Sequence, residues 1–369
     1  MKKKVMVFLG TRPEAIKLAP VIETLKGSNK FDVRVCSTGQ HKEMLQQVLD
    51  FFHITVDYSL DVMEPNQQLA GLTAKVLTKA NELLQAEQPD MIIVQGDTTT
   101  TFAASLAAFY NKIQVLHVEA GLRTFNKFSP FPEEVNRVMT SRIADMHYAP
   151  TEQSYNNLLA EGVPAEKLMV TGNTVIDALF LGLKKIEGAA PAGIAAQGLE
   201  GKKDFILVTM HRRENHGEGI KNICNAIKRI AEDTNTEVIV PVHLNPNVKD
   251  DVHEILGGHP LIHLISPAAY PEFLWLMNHS RLILTDSGGV QEEAPSLGKP
   301  VLLLRDTTER PEAMDAGTVL KVGSDTELIY REAIRLLTDA AAYEAMSMRS
   351  NPYGDGKASE RILESMMVL

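Results

Sequence analysis

Residues 282–293 read LILTDSGGVQEE. An apolar run of strand length, Leu282–Thr285, is followed at once by small residues and then by a sequence that favours helix. A strand that passes through a short turn straight into a helix is the repeating unit of an α/β protein. Gly288 and Gly289 would let an anion approach the backbone, where unpaired amides and the helix dipole favour phosphate. Because many strand-to-helix turns contain Ser and Gly, this stretch indicates phosphate binding only in combination with others.

The same alternation of short apolar runs and longer amphipathic stretches continues along the whole chain. The first group of predicted strands comprises Val5–Leu9, Val33–Cys36, Met91–Gln95, Val115–Val118, Met146–Tyr148 and Leu168–Val170. The second group comprises Phe205–Met210, Glu237–Val242, Ile262–Ile265, Leu282–Thr285, Val301–Leu304 and Val319–Val322. Predicted helices include Pro13–Lys26, Leu69–Gln85, Gly219–Glu232 and Glu327–Met346. Strands that are apolar throughout are typical of parallel sheets covered on both faces, so the sequence predicts an α/β fold with two doubly wound sheets.

The length of 369 residues also favours two domains. The least patterned stretch is Gly188–Gly201, and Thr171–Thr174 is a second candidate hinge. We assign an N-terminal Rossmann-like domain to residues 1–170 and a C-terminal one to residues 171–354. Two such domains are expected to face each other across a central cleft at the carboxyl ends of their strands, where ligands of α/β proteins bind.

Composition excludes several classes of protein. The formal net charge of -10 argues against general nucleic-acid binding, because no basic surface would offset repulsion by the phosphates. No window approaches the ~20 apolar residues of a membrane span, and the apolar run Val5–Leu9 is too short for a signal peptide. The two cysteines, Cys36 and Cys224, have neither a metal-site spacing nor a disulfide framework, which favours the reducing cytoplasm.

Two common cofactor motifs are absent from the sequence. The turn after the first strand reads GTRPE over Gly10–Glu14, which is not the Gly-x-Gly-x-x-Gly of dinucleotide-binding proteins, and no Walker lysine motif occurs. The histidines and Asp97 lack a clear metal-ligand spacing. The sequence therefore predicts no cofactor and no metal.

Basic and polar residues follow two strands of the second half. His211-Arg212-Arg213-Glu214 comes directly after Phe205–Met210, and His243 comes directly after Glu237–Val242. Arginine forks match phosphate in bidentate fashion, and histidine can hydrogen-bond phosphate or exchange a proton. The alternative is a solvated charge run in which Glu214 pairs with its neighbours, and the sequence alone leaves both interpretations open.

Carboxylates follow the strands of the first half. Each has a local explanation. Asp97 could cap the helix that follows it, and Glu133 and Glu134 could interact favourably with the dipole at the start of another helix. Glu119 follows Val115–Val118. Three acids that converge opposite a phosphate site would instead raise one another's pKa and so separate acid from base roles.

These residues lie within longer motifs that together resemble one family. The motifs are GTRPEAIK (10–17), GDTTTT (96–101), HVEAGLRT (117–124), PEEVNR (132–137), HRRE (211–214), HLNPN (243–247), DSGGVQEEAP (286–295), TERPEA (308–313) and NPYGDG (351–356). In this order, over essentially the whole chain, they resemble the bacterial non-hydrolysing UDP-N-acetylglucosamine 2-epimerases.

The resemblance implies a fold, a reaction and a setting. The fold is of GT-B type, and the last helix, in residues 355–369, packs back on the first domain. The reaction interconverts UDP-N-acetylglucosamine and UDP-N-acetylmannosamine by elimination of UDP to 2-acetamidoglucal and re-addition, without a cofactor. The implied enzyme is a cytoplasmic homodimer whose product supplies cell-surface polysaccharide synthesis.

The resemblance also implies roles for individual residues. The catalytic residues are Asp97, Glu119, Glu133 and His211. The substrate-binding residues are Arg12, Lys17, Arg137, Arg213, His243, Phe273, Ser287, Gly288, Gly289, Glu293 and Arg310, with Glu293 at the ribose and Phe273 beside the uracil. A second UDP-N-acetylglucosamine molecule, acting as an allosteric activator, is assigned to Gln40, His41 and Glu134. The sequence departs from the family pattern at Gln95, where a histidine is expected.

Three other functions compete with this interpretation. A GT-B glycosyltransferase would share the Ser-Gly-Gly turn and Glu293 but would not require three acids in the first half. A catalytically silent UDP-sugar sensor would not require Asp97, Glu119, Glu133 and His211. An epimerase of another 2-acetamido sugar would differ in few motifs, although the Thr98–Thr101 run resembles the N-acetylglucosamine branch.

Overall fold

The structure is a computed structural model, and it describes residues 2–39, 42–64, 67–308 and 310–369. The chain forms two compact units. Unit 1 comprises the residues up to Leu181 together with Tyr353–Leu369, and unit 2 comprises Gly182–Pro352. Within the described ranges, no helix is long and apolar enough to cross a membrane.

Unit 1 is built on a seven-stranded sheet. Its strands are β1 (Lys3–Leu9), β2 (Phe31–Ser37), β3 (Tyr58–Ser59), β4 (Met91–Gln95), β5 (Gln114–Val118), β6 (Met146–Ala149) and β7 (Leu168–Val170). The helices are α1 (Arg12–Gly27), α2 (Lys42–Phe52), α3 (Leu69–Glu87), α4 (Thr99–Tyr110), α5 (Glu133–Ile143), α6 (Glu152–Ala160) and α7 (Thr174–Lys185), the last of which runs past Leu181 into unit 2. All strand pairs are parallel, in the order β3-β2-β1-β4-β5-β6-β7.

Unit 2 repeats this architecture with six strands. They are β8 (Phe205–Thr209), β9 (Val238–Pro241), β10 (Ile262–Ile265), β11 (Ser280–Thr285), β12 (Val301–Leu303) and β13 (Val319–Lys321). The helices are α8 (Ala192–Ala196), α9 (Glu218–Thr234), α10 (Pro246–Leu256), α11 (Tyr270–His279), α12 (Gly288–Glu293), α13 (Pro311–Asp315), α14 (Thr326–Thr338) and α15 (Ala340–Ser347). The parallel order is β10-β9-β8-β11-β12-β13.

Each sheet has a point where the strand order reverses. In unit 1 it lies between β1 and β4, and in unit 2 it lies between β8 and β11. At such a point the connections after the two neighbouring strands run to opposite faces of the sheet. The turns that follow the strands therefore diverge, and a crevice that can bind a ligand forms between them. Arg12 and Asp97 follow β1 and β4, and His211 and Ser287 follow β8 and β11, so this topology brings each of these pairs together within its unit.

The last helix of the fold, α16 (Ala358–Met366), belongs to unit 1. Its first amides, those of Ala358 and Ser359, donate to the Asp177 carboxylate at 3.2 and 2.7 Å. Burial raises the pKa of Asp177, although these hydrogen bonds oppose the shift. Near the other end of α16, the Tyr148 hydroxyl lies 3.3 Å from Ser365 Oγ. The helix is thus fixed to unit 1 by polar contacts near both ends.

The element assignments from the sequence are mostly confirmed, with three corrections. Residues 188–201, which the sequence suggests as a join, lie within unit 2 and contain α8, because Ile194 and Leu199 are apolar enough to be fully buried there. The predicted helix Glu327–Met346 is two helices, since Asp339 caps the second with its side chain. The two-residue strand β3 has no apolar run that could predict it.

Candidate active site

Asp97 lies two residues after the end of β4, and an arginine from α5 binds its carboxylate. Arg137 donates to Asp97 Oδ2 through Nε at 3.1 Å and Nη2 at 2.6 Å. Asn136 donates to the Asp97 carbonyl at 3.0 Å. The Arg137 side chain is 5% exposed and that of Asp97 is 27% exposed, so the carboxylate is fixed from inside and remains accessible from outside.

Asp97 does not cap the following helix, which corrects one interpretation of the sequence. The N-cap of α4 is Thr98, whose hydroxyl accepts from the Thr101 amide at 3.2 Å. The preceding Gly96 has φ +71°, a left-handed conformation that favours glycine. Because the cap is supplied by Thr98, the Asp97 carboxylate is not needed for helix α4.

Glu119 follows β5 and is contacted by one side chain from helix α1 and one from the end of β4. Lys17 on α1 lies 2.7 and 2.6 Å from its two carboxylate oxygens. The Gln95 side-chain amide donates to Glu119 Oε2. Glu119 itself has φ +62°, which is uncommon for a residue with a side chain. The amide of Gln95 therefore supplies a neutral donor at the position where the family resemblance leads us to expect a histidine.

Glu133 and Glu134 begin α5 but have different surroundings. Glu133 is half-buried, and no described residue hydrogen-bonds its carboxylate. The buried Glu134 carboxylate accepts from the amides of Thr124 at 3.1 Å and Phe125 at 2.9 Å and from Arg137 Nη1 at 2.9 Å. Glu134 thus holds the loop before α5 and the same arginine that contacts Asp97.

Two residues assigned to an activating site, Gln40 and His41, lie outside the described residues. Arg12, assigned to substrate binding, is the first residue of α1 and is half-buried. Its position next to the end of β1 places it at the strand-order reversal of unit 1.

Glu14 is a residue of this site that the sequence interpretation missed, because its position suggests only a dipole contact. The side chain is buried and its Oε2 accepts from the amides of Gly10 at 3.0 Å and Thr11 at 2.7 Å. Its Oε1 accepts from the Thr98 hydroxyl at 2.7 Å. Burial raises the pKa of Glu14, and the hydrogen bonds from Thr98 and Thr11 oppose the shift. Glu14 therefore ties the turn after β1 to the turn after β4.

In unit 2, Asp286 connects two turns in the way that Glu14 does in unit 1. It lies directly after β11 and is fully buried. Its Oδ2 accepts from the amides of His211 and Arg212, both at 2.9 Å, and from Asn215 Nδ2 at 3.2 Å. His211 Nδ1 lies 3.1 Å from Oδ1. Burial raises the pKa of Asp286, but the His211 ring and these amides outweigh it and hold the pKa below its usual value.

This arrangement orients the His211 ring. A carboxylate at Nδ1 favours a proton on that nitrogen and leaves Nε2 for a ligand. The ring is 39% exposed and stacks on His243 with a centroid distance of 5.9 Å. The sequence gives no signal for Asp286, because its partners lie more than 70 positions away.

The guanidinium group of Arg310 packs against the backbone of the Ser-Gly-Gly turn at the start of α12. Arg310 Nε donates to Glu292 Oε1 at 2.6 Å. A Cβ at Gly288 would lie 2.7 Å from Arg310 Nη1, closer than real Cβ atoms come. Gly288 therefore admits the guanidinium close to the helix start, next to the N-cap Ser287. A positive group beside exposed amides suits a diphosphate.

We expect Gly288→Ala to weaken UDP binding by about 10-fold, equivalent to roughly 1.4 kcal/mol, because the methyl group displaces Arg310. Gly219→Ala on α9 of the same unit is the matched control, since its Cβ would meet nothing nearer than 3.6 Å and the residue is not assigned to the substrate. Neither glycine has a left-handed φ, so the two variants differ mainly in the contact with Arg310. Isothermal titration with UDP measures the effect, and equal affinities for the two variants would contradict this role of Gly288.

The remaining predicted substrate residues lie on the same unit. Arg213 and His243 are exposed, Phe273 is half-buried on α11, and Glu293 is buried at the end of α12. Arg213 does not pair with its neighbour Glu214. Instead Arg305 Nε donates to Glu214 at 2.7 Å, so the interpretation of a self-paired charge run is wrong for Glu214.

The whole chain is similar to known proteins of one kind. The family model described as UDP-N-acetylglucosamine 2-epimerase matches residues 23–367. A UDP-N-acetylglucosamine 2-epimerase of Neisseria meningitidis is 51% identical over 368 residues, covering 99% of both chains. That of Escherichia coli K12 is 51% identical over 370 residues, covering 98% of both chains.

Solved structures agree with the sequence relatives. The crystal structure of the UDP-GlcNAc 2-epimerase from Neisseria meningitidis, bound to UDP-GlcNAc, superposes with a TM-score of 0.88 and 51% identity. It covers 99% of this chain and all of that one. The predicted fold class, α/β of GT-B type, is confirmed. On these grounds the chain belongs to the UDP-N-acetylglucosamine 2-epimerase family.

Proposed function

We propose that this enzyme interconverts UDP-N-acetylglucosamine and UDP-N-acetylmannosamine by inverting carbon 2 of the sugar. The observation that carries the proposal is the set of carboxylates at adjacent strand ends of unit 1, two of them held by basic side chains. Arg137 holds Asp97 and Lys17 holds Glu119, while Glu133 begins the next helix. A chain that only bound UDP would not need such a set.

The proposed reaction is an elimination followed by a re-addition. The proton on carbon 2 is not adjacent to a carbonyl, so a side chain cannot remove it directly at a useful rate. The bond between carbon 1 and the UDP oxygen breaks with its electron pair, a carboxylate takes the proton from carbon 2, and a double bond forms between the two carbons. UDP then adds back to carbon 1 while an acid delivers a proton to the opposite face of carbon 2.

This route assigns the residues of unit 1 to proton transfer. Inversion requires one proton-transfer group on each face of the ring. We assign this work to the three carboxylates Asp97, Glu119 and Glu133. Lys17 and Arg137 orient two of them, as the short ion pairs support.

The residues of unit 2 are assigned to the departing UDP. Arg310, Arg213 and the backbone of residues 287–289 offset the charge that develops on the diphosphate, together with Arg12 of unit 1. His211 acts at the diphosphate, where the buried Asp286 orients its ring. Phe273 is assigned to the uracil, Glu293 to the ribose and His243 to the ring stack beside His211.

Proton NMR of the enzyme with UDP-N-acetylglucosamine in heavy water tests the proposal, with no acceptor, nicotinamide or metal added. We expect UDP-N-acetylmannosamine with deuterium at carbon 2, together with traces of UDP and the glycal. An unchanged sugar that keeps its proton would contradict the proposal and would favour a glycosyltransferase or another 2-acetamido substrate.

We further propose that the enzyme is a homodimer in the cytoplasm and supplies N-acetylmannosamine for cell-surface polysaccharides. A second UDP-N-acetylglucosamine, acting as activator, is assigned to Gln40, His41 and Glu134. Kinetics started from UDP-N-acetylmannosamine test the activation, since hyperbolic rates that do not respond to added UDP-N-acetylglucosamine would contradict it. Light scattering of the purified enzyme tests the dimer.

A further inference from the structure

His117 is a fully buried histidine in the middle of the sheet of unit 1. It lies on β5, in register with Val94 of β4 on one side and His147 of β6 on the other. Apolar side chains fill most positions of these strands, so packing alone does not require a histidine here. Two residues further along the chain is Glu119.

The hydrogen bond of His117 defines its tautomer. His117 Nε2 lies 2.7 Å from the Gly96 carbonyl oxygen. A carbonyl only accepts, so Nε2 carries the proton. Burial lowers the pKa of His117 to about 4, and the ring is therefore neutral near pH 7. Nδ1 is then a buried acceptor to which no described residue donates a hydrogen bond. Burying an unpaired acceptor destabilises the fold. The contribution of His117 must therefore come from the hydrogen bond that Nε2 donates to Gly96.

That bond holds a turn that packing leaves free. Gly96 has φ +71°, and a Cβ added to it would meet no atom within 4 Å. Its amide donates to the Val118 carbonyl at 2.9 Å, and its own carbonyl receives the His117 ring. Two hydrogen bonds to β5 therefore hold Gly96, while Asn136 and Arg137 hold Asp97 from α5.

The residues on either side of Gly96 both belong to the candidate site. Gln95 contacts Glu119 through its side-chain amide, and Asp97 contacts Arg137. A rotation of the peptide between Gly96 and Asp97 would move the Asp97 carboxylate directly. Displacements of about 1 Å at a reacting group can lower a rate about 100-fold.

We infer that His117 is a positioning residue for Asp97, acting through the Gly96 carbonyl without touching the substrate. The inference rests on the proposed epimerase function for its kinetic consequence. The hydrogen bond itself does not depend on that function, so the two can be tested separately.

The kinetic test compares two amides at position 117. A glutamine places its NH2 near the position of Nε2 and can donate to Gly96, whereas an asparagine reaches only as far as Nδ1. We expect His117→Asn to lower kcat about 10- to 100-fold with KM changed less than about 3-fold. We expect His117→Gln to keep kcat within about 3-fold of the wild type. His147→Asn is the matched control, because His147 is equally buried on the next strand but contacts the backbone of Ala144.

Thermal melting measures how far each variant is destabilised. Equal kcat values for the two position-117 variants, or the same loss of kcat in His147→Asn, would overturn the inference. If His117→Asn does not fold, the test is the kcat of His117→Gln relative to the wild type. A decrease in this kcat of more than about 10-fold would overturn the inference.

The second test uses long-range nitrogen–proton NMR of the histidine rings in the ligand-free protein. The His117 signals are those that vanish in His117→Gln. We expect a neutral ring protonated at Nε2 between pH 6 and 8. A proton at Nδ1, or a ring that titrates in this range, would overturn the inference whether or not the enzyme epimerises UDP-N-acetylglucosamine. Lack of turnover with the expected tautomer would contradict only the proposed function.

Discussion

Replacing Asp97 with asparagine is expected to lower kcat about 1,000-fold while UDP affinity changes less than about 3-fold. An asparagine keeps an oxygen for the two hydrogen bonds from Arg137, so the turn after β4 retains its shape. The amide cannot take up or return a proton. The effect therefore falls on the chemical step and not on the diphosphate, which we assign to unit 2.

Asp90→Asn is the matched control for this variant. Asp90 lies just before β4, at the opposite end of the strand, where its carboxylate accepts from the Lys4 amide at 2.7 Å. Turnover is measured by proton NMR and UDP binding by isothermal titration. Wild-type turnover in Asp97→Asn would remove this carboxylate from the mechanism, and an equal loss in Asp90→Asn would show that the effect is only structural.

The second large effect is expected at Asp286, although we do not expect this residue to contact the substrate. Asp286→Asn exchanges a buried carboxylate, which accepts from two amides and the Asn215 side chain, for a neutral group. Hydrogen bonds to a charged partner contribute about 1.5–3 kcal/mol each, so we expect a loss of about 2 kcal/mol in the free energy of unfolding of unit 2. UDP should bind about 10-fold more weakly, because the turn that carries His211 loses its anchor.

The loss of stability in Asp286→Asn should become smaller as pH falls. The pKa of Asp286 is below its usual value in the folded protein, so its ionised form stabilises the fold above the unfolded pKa of about 3.9. That contribution is lost as pH falls through the lower folded pKa. The difference in stability between wild type and Asp286→Asn should therefore be full near pH 7 and shrink below about pH 4.

The single tryptophan makes this measurement specific to unit 2. Trp275 is buried on α11 and stacks with His279, so its fluorescence reports the unfolding of that unit. Asp325→Asn, which alters the N-cap of α14, is the control, because it changes the stability of the same unit at a site away from Asp286. A pH-independent difference between wild type and Asp286→Asn would contradict the explanation that the ionised carboxylate stabilises the fold.

The strands could be predicted because they are continuous apolar runs. The strands β4, β7 and β10 have the same bounds in the sequence analysis and in the structure. The division between α14 and α15 could not be predicted, since the apolar spacing continues across Asp339 and only its capping contacts interrupt the helix. Local pattern therefore predicts where elements lie, and side-chain contacts decide where they end.

The candidate site was predicted less completely, for a related physical reason. Asp97, Glu119 and His211 could be named because the family resemblance assigns them catalytic roles. Glu14 and Asp286 could not, because their importance depends on burial and on donors distant in sequence. A short acidic residue at a helix start or strand end has the same appearance in the sequence whether it faces solvent or organises a buried turn.

The position of α16 has a consequence for how the protein is made on the ribosome. Unit 1 consists of the first half of the chain and one helix that is translated after the whole of unit 2. Until residues 358–366 emerge, Asp177 lacks the two amides that satisfy its carboxylate. Unit 2, whose residues are contiguous, can complete its core earlier. The second unit to be synthesised is thus the first for which all residues are available to fold.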